Sequence, residues 1–318
     1  MKKVFAAILF LLTVCTGATA QTQAPDTIVV TRDGTGNYRN IQDALESVRA
    51  FMDFTVVIYI KNGVYKEKVI VPSWLKNVHL VGESADKTII TYDDHARIGN
   101  MGTFRTYTVK VEGNDITFKD LTIENNAAQL GQAVALHTEG DRLMFINCRF
   151  LGNQDTVFTG SEGTRLLFTN CYIEGTTDFI FGPSTVLFEN CTIHSKKNSY
   201  ITAASTPGHI EFGYIFRNCK LTAEPSADKV YLGRPWRPYA ATVFINCEMG
   251  KHIRPEGWNN WRNPENEKTA RYAEYGSYGP GANPSARVTW SSRLTDKQLK
   301  RYTIENIFQD CSNWYPYK

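Results

Sequence analysis

Residues 153–182 read NQDTVFTGSEGTRLLFTNCYIEGTTDFIFG, and the tetrad inside this stretch, Phe168-Thr-Asn-Cys171, recurs on both sides of it. Phe145-Ile-Asn-Cys148 precedes it; Phe188-Glu-Asn-Cys191, Phe216-Arg-Asn-Cys219 and Phe244-Ile-Asn-Cys247 follow, each flanked by apolar residues, and Ile116 to Ile123 is a weaker echo. The five cysteines are separated by 23, 20, 28 and 28 residues. A period of this size is the signature of a solenoid. Within each unit the residue after the Phe varies freely in polarity, while Phe and Cys are always apolar. Three positions separate them, an odd number, so both can face inward only if the chain bends between them. Asparagine, which enters left-handed backbone conformations more readily than most residues, stands at that bend every time. Each unit is therefore strand, Asn corner, strand. Stacked units make an all-β fold, a single right-handed parallel β-helix with interior ladders of like side chains and Asn corners placed to hydrogen-bond along the axis.

Outward from the repeats, Thr27 to Thr31 reads as a strand and Asp33 to Asn37 as a turn. Ile41, Ala44, Leu45 and Val48 fall at helical spacing, so Ile41 to about Phe51 is predicted to be a capping helix. Thr55 to Ile60 is a β-branched run suited to a parallel sheet. Gly63 to Glu67 reads as a structural turn, with strands near Val69 to Val71, Val78 to Val81 and Thr88 to Thr91. Beyond the last repeat, Arg254 to Pro284 is rich in Gly, Pro, Asn and aromatic residues, which predicts long external loops. Arg287 to Trp290 is a candidate for a return to the sheet. A Thr-x-x-Gln capping box at Thr295 and Gln298 opens a closing helix that runs to Phe308. No linker is visible, so residues 21–318 are expected to form one domain.

Residues 1–20 differ from the rest. Lys2 and Lys3 precede an apolar run from Val4 to Val14, then Ala18-Thr19-Ala20, the pattern of an export signal cleaved from a secreted or periplasmic protein. Cys15 offers a lipid anchor as the lesser alternative, because Val14 is a poor fit to the small residue such sites want. No later segment reaches the ~20 apolar residues of a membrane span. Removing Lys2 and Lys3 lowers the formal charge from +3 to +1, a balance that argues against a nucleic-acid partner. The ladder cysteines, expected about 4.8 Å apart, are too widely spaced for disulfides and show no Cys-x-x-Cys pairing. They are expected to be buried and inert; Cys311 carries no assignment.

The other feature of the opening stretch is chemical. Asp155 and Asp178 each lie seven residues after a tetrad cysteine, so a common register stacks them. The same 23-residue step taken backward reaches Gln132, which predicts a column of Gln132, Asp155 and Asp178, with Gln154 beside Asp155. Two carboxylates about 5 Å apart at an effective dielectric near 20 repel by roughly 3 kcal/mol, about 2 pKa units. One then keeps its proton near neutral pH while the other ionises, giving a nucleophile and a general acid from one residue type. A cation decides which is which, and Arg234 in Leu232-Gly-Arg-Pro-Trp236 is available. Uncharged amide donors suit a transient oxyanion and point to acyl transfer; the same spacing would also fit a retaining glycosidase.

Gly131-Gln-Ala-Val-Ala-Leu136, Gly152-Asn-Gln-Asp-Thr156, Asp178-Phe-Ile-Phe-Gly182 and Leu232-Gly-Arg-Pro-Trp236 resemble, in order, the signature segments of pectin methylesterases, carbohydrate esterases built on a right-handed β-helix. Gly36-Asn-Tyr with Ile41-Gln42, the Gly63 to Glu67 segment and Gly257-Trp258 extend the similarity from about residue 26 to the C-terminus. The resemblance implies hydrolysis of methyl esters of galacturonate in pectin, with Asp178 as nucleophile, Asp155 as general acid and then base, and Gln132 and Gln154 as oxyanion donors. It gives Arg234 the task of orienting and ionising Asp178. Trp236 would stack on sugar, and no cofactor or metal is implied. Trp258 is expected on a sugar-binding loop with Trp236, as is Trp261. Phe158, Phe179 and Tyr231 are weaker substrate-binding candidates for which a core position is the simpler expectation. His137 stands where the family often has arginine, and Ala204 where many members carry glutamine. The expected partner is methyl-esterified pectin, bound by a monomer. The alternatives are a β-helical pectin lyase or hydrolase, which would shorten the polymer, and a pectin-binding protein without turnover.

Overall fold

The computed structural model describes residues 27–309 and 314, so the expected signal segment, Cys15 and Cys311 lie outside the described residues. Its strands form three parallel sheets of eleven, seven and eight strands, each strand pairing with its equivalents one coil away. The chain passes from the eleven-stranded sheet through the Asn corner to the eight-stranded sheet, then through the Asp155 or Asp178 segment into the seven-stranded sheet. The β-helix predicted from the tetrads is therefore the fold. Pairings across the eight-stranded sheet, Arg149 with Tyr172, Tyr172 with Thr192, Thr192 with Lys220 and Lys220 with Glu248, reproduce the cysteine periods.

At each corner the asparagine is left-handed, with φ of 51°, 54°, 54°, 55° and 52° at Asn147, Asn170, Asn190, Asn218 and Asn246. This conformation lets the corner N–H stay in the ladder: Asn147 donates to Thr169 O, Asn170 to Glu189 O, Asn190 to Arg217 O, Asn218 to Ile245 O and Asn246 to Tyr275 O, all at 2.8–3.0 Å. The bonding along the axis that the sequence suggested thus runs mainly through the backbone. A side-chain bond joins Asn147 Nδ2 to Asp120 Oδ1 at 2.6 Å, where Asp120 is the corner of the weaker echo.

The tetrad phenylalanines form one interior stack. Phe118, Phe145, Phe168, Phe188, Phe216 and Phe244 follow one another at ring separations of 4.5–5.4 Å. The cysteines are buried free thiols. Four of them donate to the carbonyl of the Phe one coil below: Cys171 to Phe145, Cys191 to Phe168, Cys219 to Phe188 and Cys247 to Phe216. Burial pushes the Cys148 thiol up to about 12 and those of Cys191, Cys219 and Cys247 well above the ordinary value, so thiolate chemistry is suppressed.

The ends depart from expectation in detail. The capping helix spans only Ile41–Glu46 but buries Ile41, Ala44 and Leu45. Gly63–Lys66 is a strand rather than a turn. The residue after it, Glu67, accepts from the N–H groups of Ile41 and Gln42 at 3.0 Å each, satisfying two orphan donors where the helix begins. The region expected to be loops contains a helix, Glu265–Thr269, and a strand, Arg271–Tyr275, paired to the eleven-stranded sheet. The last strand is Ser292–Arg293 rather than Arg287 to Trp290. The single closing helix is two short ones, Asp296–Leu299 with its capping box formed and Ile304–Phe308. Ile307 and Phe308 from the second pack on Leu167, Leu187 and Ile215 of the outer sheet face.

Candidate active site

Asp155 and Asp178 sit immediately before the site-sheet strands Val157–Thr159 and Ile180–Gly182. Val157 pairs with Ile180, so the aspartates occupy equivalent points of successive coils. Both are left-handed, with φ of 66° and 48°, a conformation that aspartate tolerates better than most residues. Their backbones stay in the ladder: Asp155 N–H donates to Thr177 O at 3.0 Å and Asp178 N–H to Tyr200 O at 2.9 Å. Both side chains are more than nine-tenths buried, yet both reach a surface cleft.

Arg234, which follows the strand Tyr231–Gly233 two coils further on, reaches back to form a fork on Asp178: Nε donates to Oδ1 at 2.9 Å and Nη2 to Oδ2 at 2.6 Å. This bidentate pairing is the strong form of an arginine–carboxylate contact. It separates the two acids. Burial raises the Asp178 carboxyl while Arg234 pulls it back down. Asp155 is pushed well above the carboxylate range by burial and by the charge of Asp178, with Arg234 opposing only at a distance. As the pair loses its first proton, the charge settles on Asp178 and Asp155 keeps the remaining proton.

The expected column of three divides into two pairs. Gln132 bridges to Gln154, not to Asp155, because the step between their coils is 22 residues at this point, one short of 23. Both glutamines still line the same cleft as the aspartates, and neither side-chain amide is engaged by another described residue. Uncharged donors beside a half-ionised carboxylate pair are suited to an oxyanion that forms on a carbonyl attacked by Asp178.

The sheet face beside the aspartates carries an outward row, Lys110, His137, Phe158, Phe181 and Ala203, in continuous register. Phe158 and Phe181 pack in it with tilted rings 4.8 Å apart, and Trp236 packs on Phe181 at 5.8 Å; Trp236 and Phe181 line the cleft, whereas Phe158 is corrected to a buried residue beside it. Phe104, from the short turn Thr103–Arg105, adds a half-exposed ring against Phe158. Trp258 is corrected, since it is buried in the core, and Phe179 takes the core position that was its simpler expectation, not a substrate-binding one. Trp258 stacks on Tyr272 at 4.2 Å and closes the end of the phenylalanine ladder, since its Gly neighbour turns the chain inward. Phe179, directly after left-handed Asp178, points into the barrel against Gly175, where a Cβ would collide with the Phe179 side chain. Tyr231 does not line the cleft; it stacks on Tyr200 at 5.3 Å.

Sequence reasoning passed over Phe104, Phe181 and Tyr200. Phe181 lies 23 residues after Phe158, so the step that aligned the aspartates would have found it; Phe104 follows no repeat and had no such signal. His137 belongs to the outward row beside the site, whereas Ala204 does not reach the cleft. His137 packs edge-on to Phe158 and pairs through Nε2 with Glu139 Oε1 at 2.7 Å; Ala204 is buried in the core. Among the described residues no helix is long and apolar enough to cross a membrane.

Sequence and structure comparisons agree with this geometry. The Pectinesterase family model matches residues 27–311. A pectinesterase of Arabidopsis thaliana is 41% identical over 292 residues, 88% of this chain and 91% of the relative. Carrot pectin methylesterase superposes with a TM-score of 0.85 at 32% identity, covering 91% of this chain and 95% of its own. A pectin methylesterase solved in complex with a hexasaccharide gives a TM-score of 0.78 at 30% identity, covering 93% and 99%. With the family model spanning nearly the whole β-helix, the chain belongs to the pectinesterase family.

Proposed function

We propose that this protein hydrolyses the methyl esters of galacturonate units in pectin, releasing methanol and leaving the polymer backbone intact. The observation that carries the proposal is the forked contact of Arg234 on Asp178 with the more strongly raised Asp155 one coil away. Ionised Asp178 attacks the ester carbonyl. The oxyanion of the tetrahedral intermediate takes hydrogen bonds from the Gln132 and Gln154 amides, and the Asp155 proton passes to the departing methoxide as the C–O bond breaks. Methanol leaves, and a mixed anhydride joins Asp178 to the sugar carboxyl. Asp155, now a carboxylate, removes a proton from water; the resulting attack on the anhydride releases the free galacturonate and restores both aspartates. Trp236 and the half-exposed Phe104, both of which line the cleft, supply the faces on which sugar rings pack. Residues 1–20 serve as an export signal and residues 21–318 as a single working unit, which places the enzyme outside the cytoplasm with its polymer substrate.

The test is to assay methanol and polymer length together on highly methylated pectin. Methanol should accumulate while viscosity and reducing ends stay constant. Falling viscosity without methanol would show that the cleft cuts glycosidic bonds instead, and affinity without either product would show that it only binds.

A further inference from the structure

The guanidinium of Arg234 lies between two aromatic rings. Its Cζ is 3.9 Å from the centre of the Tyr200 ring and 3.6 Å from that of Trp261. Tyr200 in turn stacks on Tyr231, over which sits Arg254, so rings and cations are joined in one series: Trp261, Arg234, Tyr200, Tyr231, Arg254. The far end is fixed by Glu256, which accepts from Arg254 Nε at 3.2 Å. The geometry points to Tyr200 and Trp261 as positioning residues that clamp the Arg234 fork in the plane of the Asp178 carboxylate. The inference rests on the proposal that Arg234 keeps Asp178 ionised.

The physical case is one of orientation without competition. A bidentate contact needs the guanidinium held in one plane, and an arginine side chain has four rotatable bonds with which to leave it. A second carboxylate could hold the cation but would also claim part of its charge. Aromatic faces hold it through their quadrupoles, with no acceptor that competes for the N–H groups turned toward Asp178. The charged and titratable groups around Asp178 are then few: Arg234, Asp155 on the preceding coil and, toward the interior, the Tyr272 phenol whose ionisation the Asp178 charge opposes. Arg262 lies on the outer side of the clamp, beside Trp261.

Trp261 also lines the cleft, so loss of sugar stacking could lower activity in a Trp261 variant. The two roles separate by pH. A stacking role changes KM at every pH, whereas a clamping role moves the acid limb of kcat/KM, which reports ionisation of Asp178 in the free enzyme. Loosening the fork lets the Asp178 pKa rise, so the limb moves to higher pH. The experiment is the pH profile of methanol release for Trp261→Leu, Tyr200→Leu and Tyr200→Phe, with Arg234→Met as reference and thermal melts to check folding. Trp261→Leu and Tyr200→Leu should move the limb upward, in the same direction as Arg234→Met and by less, and lower kcat/KM at mid-acid pH by about tenfold, equivalent to ~1.4 kcal/mol. Tyr200→Phe keeps the ring and should leave the limb in place. A limb unmoved in both leucine variants while Arg234→Met shifts it overturns the clamp. If Arg234→Met leaves the limb unmoved as well, the proposal for the Arg234–Asp178 pair itself fails.

Discussion

Asp155 is a residue whose position serves chemistry at the expense of stability. In the unfolded chain it ionises near the ordinary value of about 4, and in the fold its carboxyl is held protonated to higher pH by burial and by Asp178. Between those two values folding takes up a proton, so stability is full below the unfolded value and falls as pH rises through the folded one. Asp155→Asn removes that loss and keeps a side chain that tolerates left-handed backbone. It should abolish turnover yet raise the melting temperature at neutral pH, with no gain below about pH 4; calorimetry at the two pH values checks the sign. The oxyanion donors give a second residue-scale expectation. Gln154→Leu should lower kcat by about 10²–10³ with little change in KM, the range for removing one preorganised donor. A loss confined to KM would move Gln154 from the chemistry to ground-state binding.

At the scale of elements, the Asn corner explains how much of the fold was legible. A residue type that enters left-handed backbone, repeated between two inward apolar positions, specifies a turn, a handed bend and a register at once, and all three hold. The C-terminal region was less legible because it carries no period. Its strand Arg271–Tyr275 alternates poorly, and its aromatic Trp258 reads as a loop residue until the open end of the phenylalanine stack is known to need a cover. Two substitutions test these elements. Asn218→Ala forces a Cβ-bearing residue without a compensating polar group into left-handed backbone and should cost about 1–2 kcal/mol, while Asn218→Gly should cost less. Arg287 closes the C-terminal loops through a buried pair with Glu274 at 2.6 Å and bonds to the carbonyls of Arg254, Pro255 and Gly281. Arg287→Met leaves Glu274 buried without its partner and should cost about 3–5 kcal/mol. Restoration of stability by adding Glu274→Leu would show that the stranded charge, not the lost packing, is responsible; urea unfolding of the single and double variants measures it.

Across the whole molecule, the solenoid converts a spacing in sequence into a spacing in space. A 23-residue coil sets Asp178 above Asp155 and Phe181 above Phe158, so one register builds both the acid pair and the aromatic face beside it. The one-residue difference in the preceding coil is what moved Gln132 from the aspartate column to Gln154, a shift that no count of residues from a single period could reveal. The rigid barrel fixes distances, and the loops from the C-terminal coils bring the cation that divides the two acids. The central claim is that this divided pair performs ester hydrolysis with Asp178 as nucleophile. It is tested most directly by methanol release from methylated pectin for Asp178→Asn beside the unaltered protein, since asparagine keeps the shape and the left-handed backbone and removes only the nucleophilic charge. Release reduced by at least about 10³, with melting temperature maintained, is the outcome expected for a lost nucleophile; release at the unaltered rate from the folded variant would contradict it.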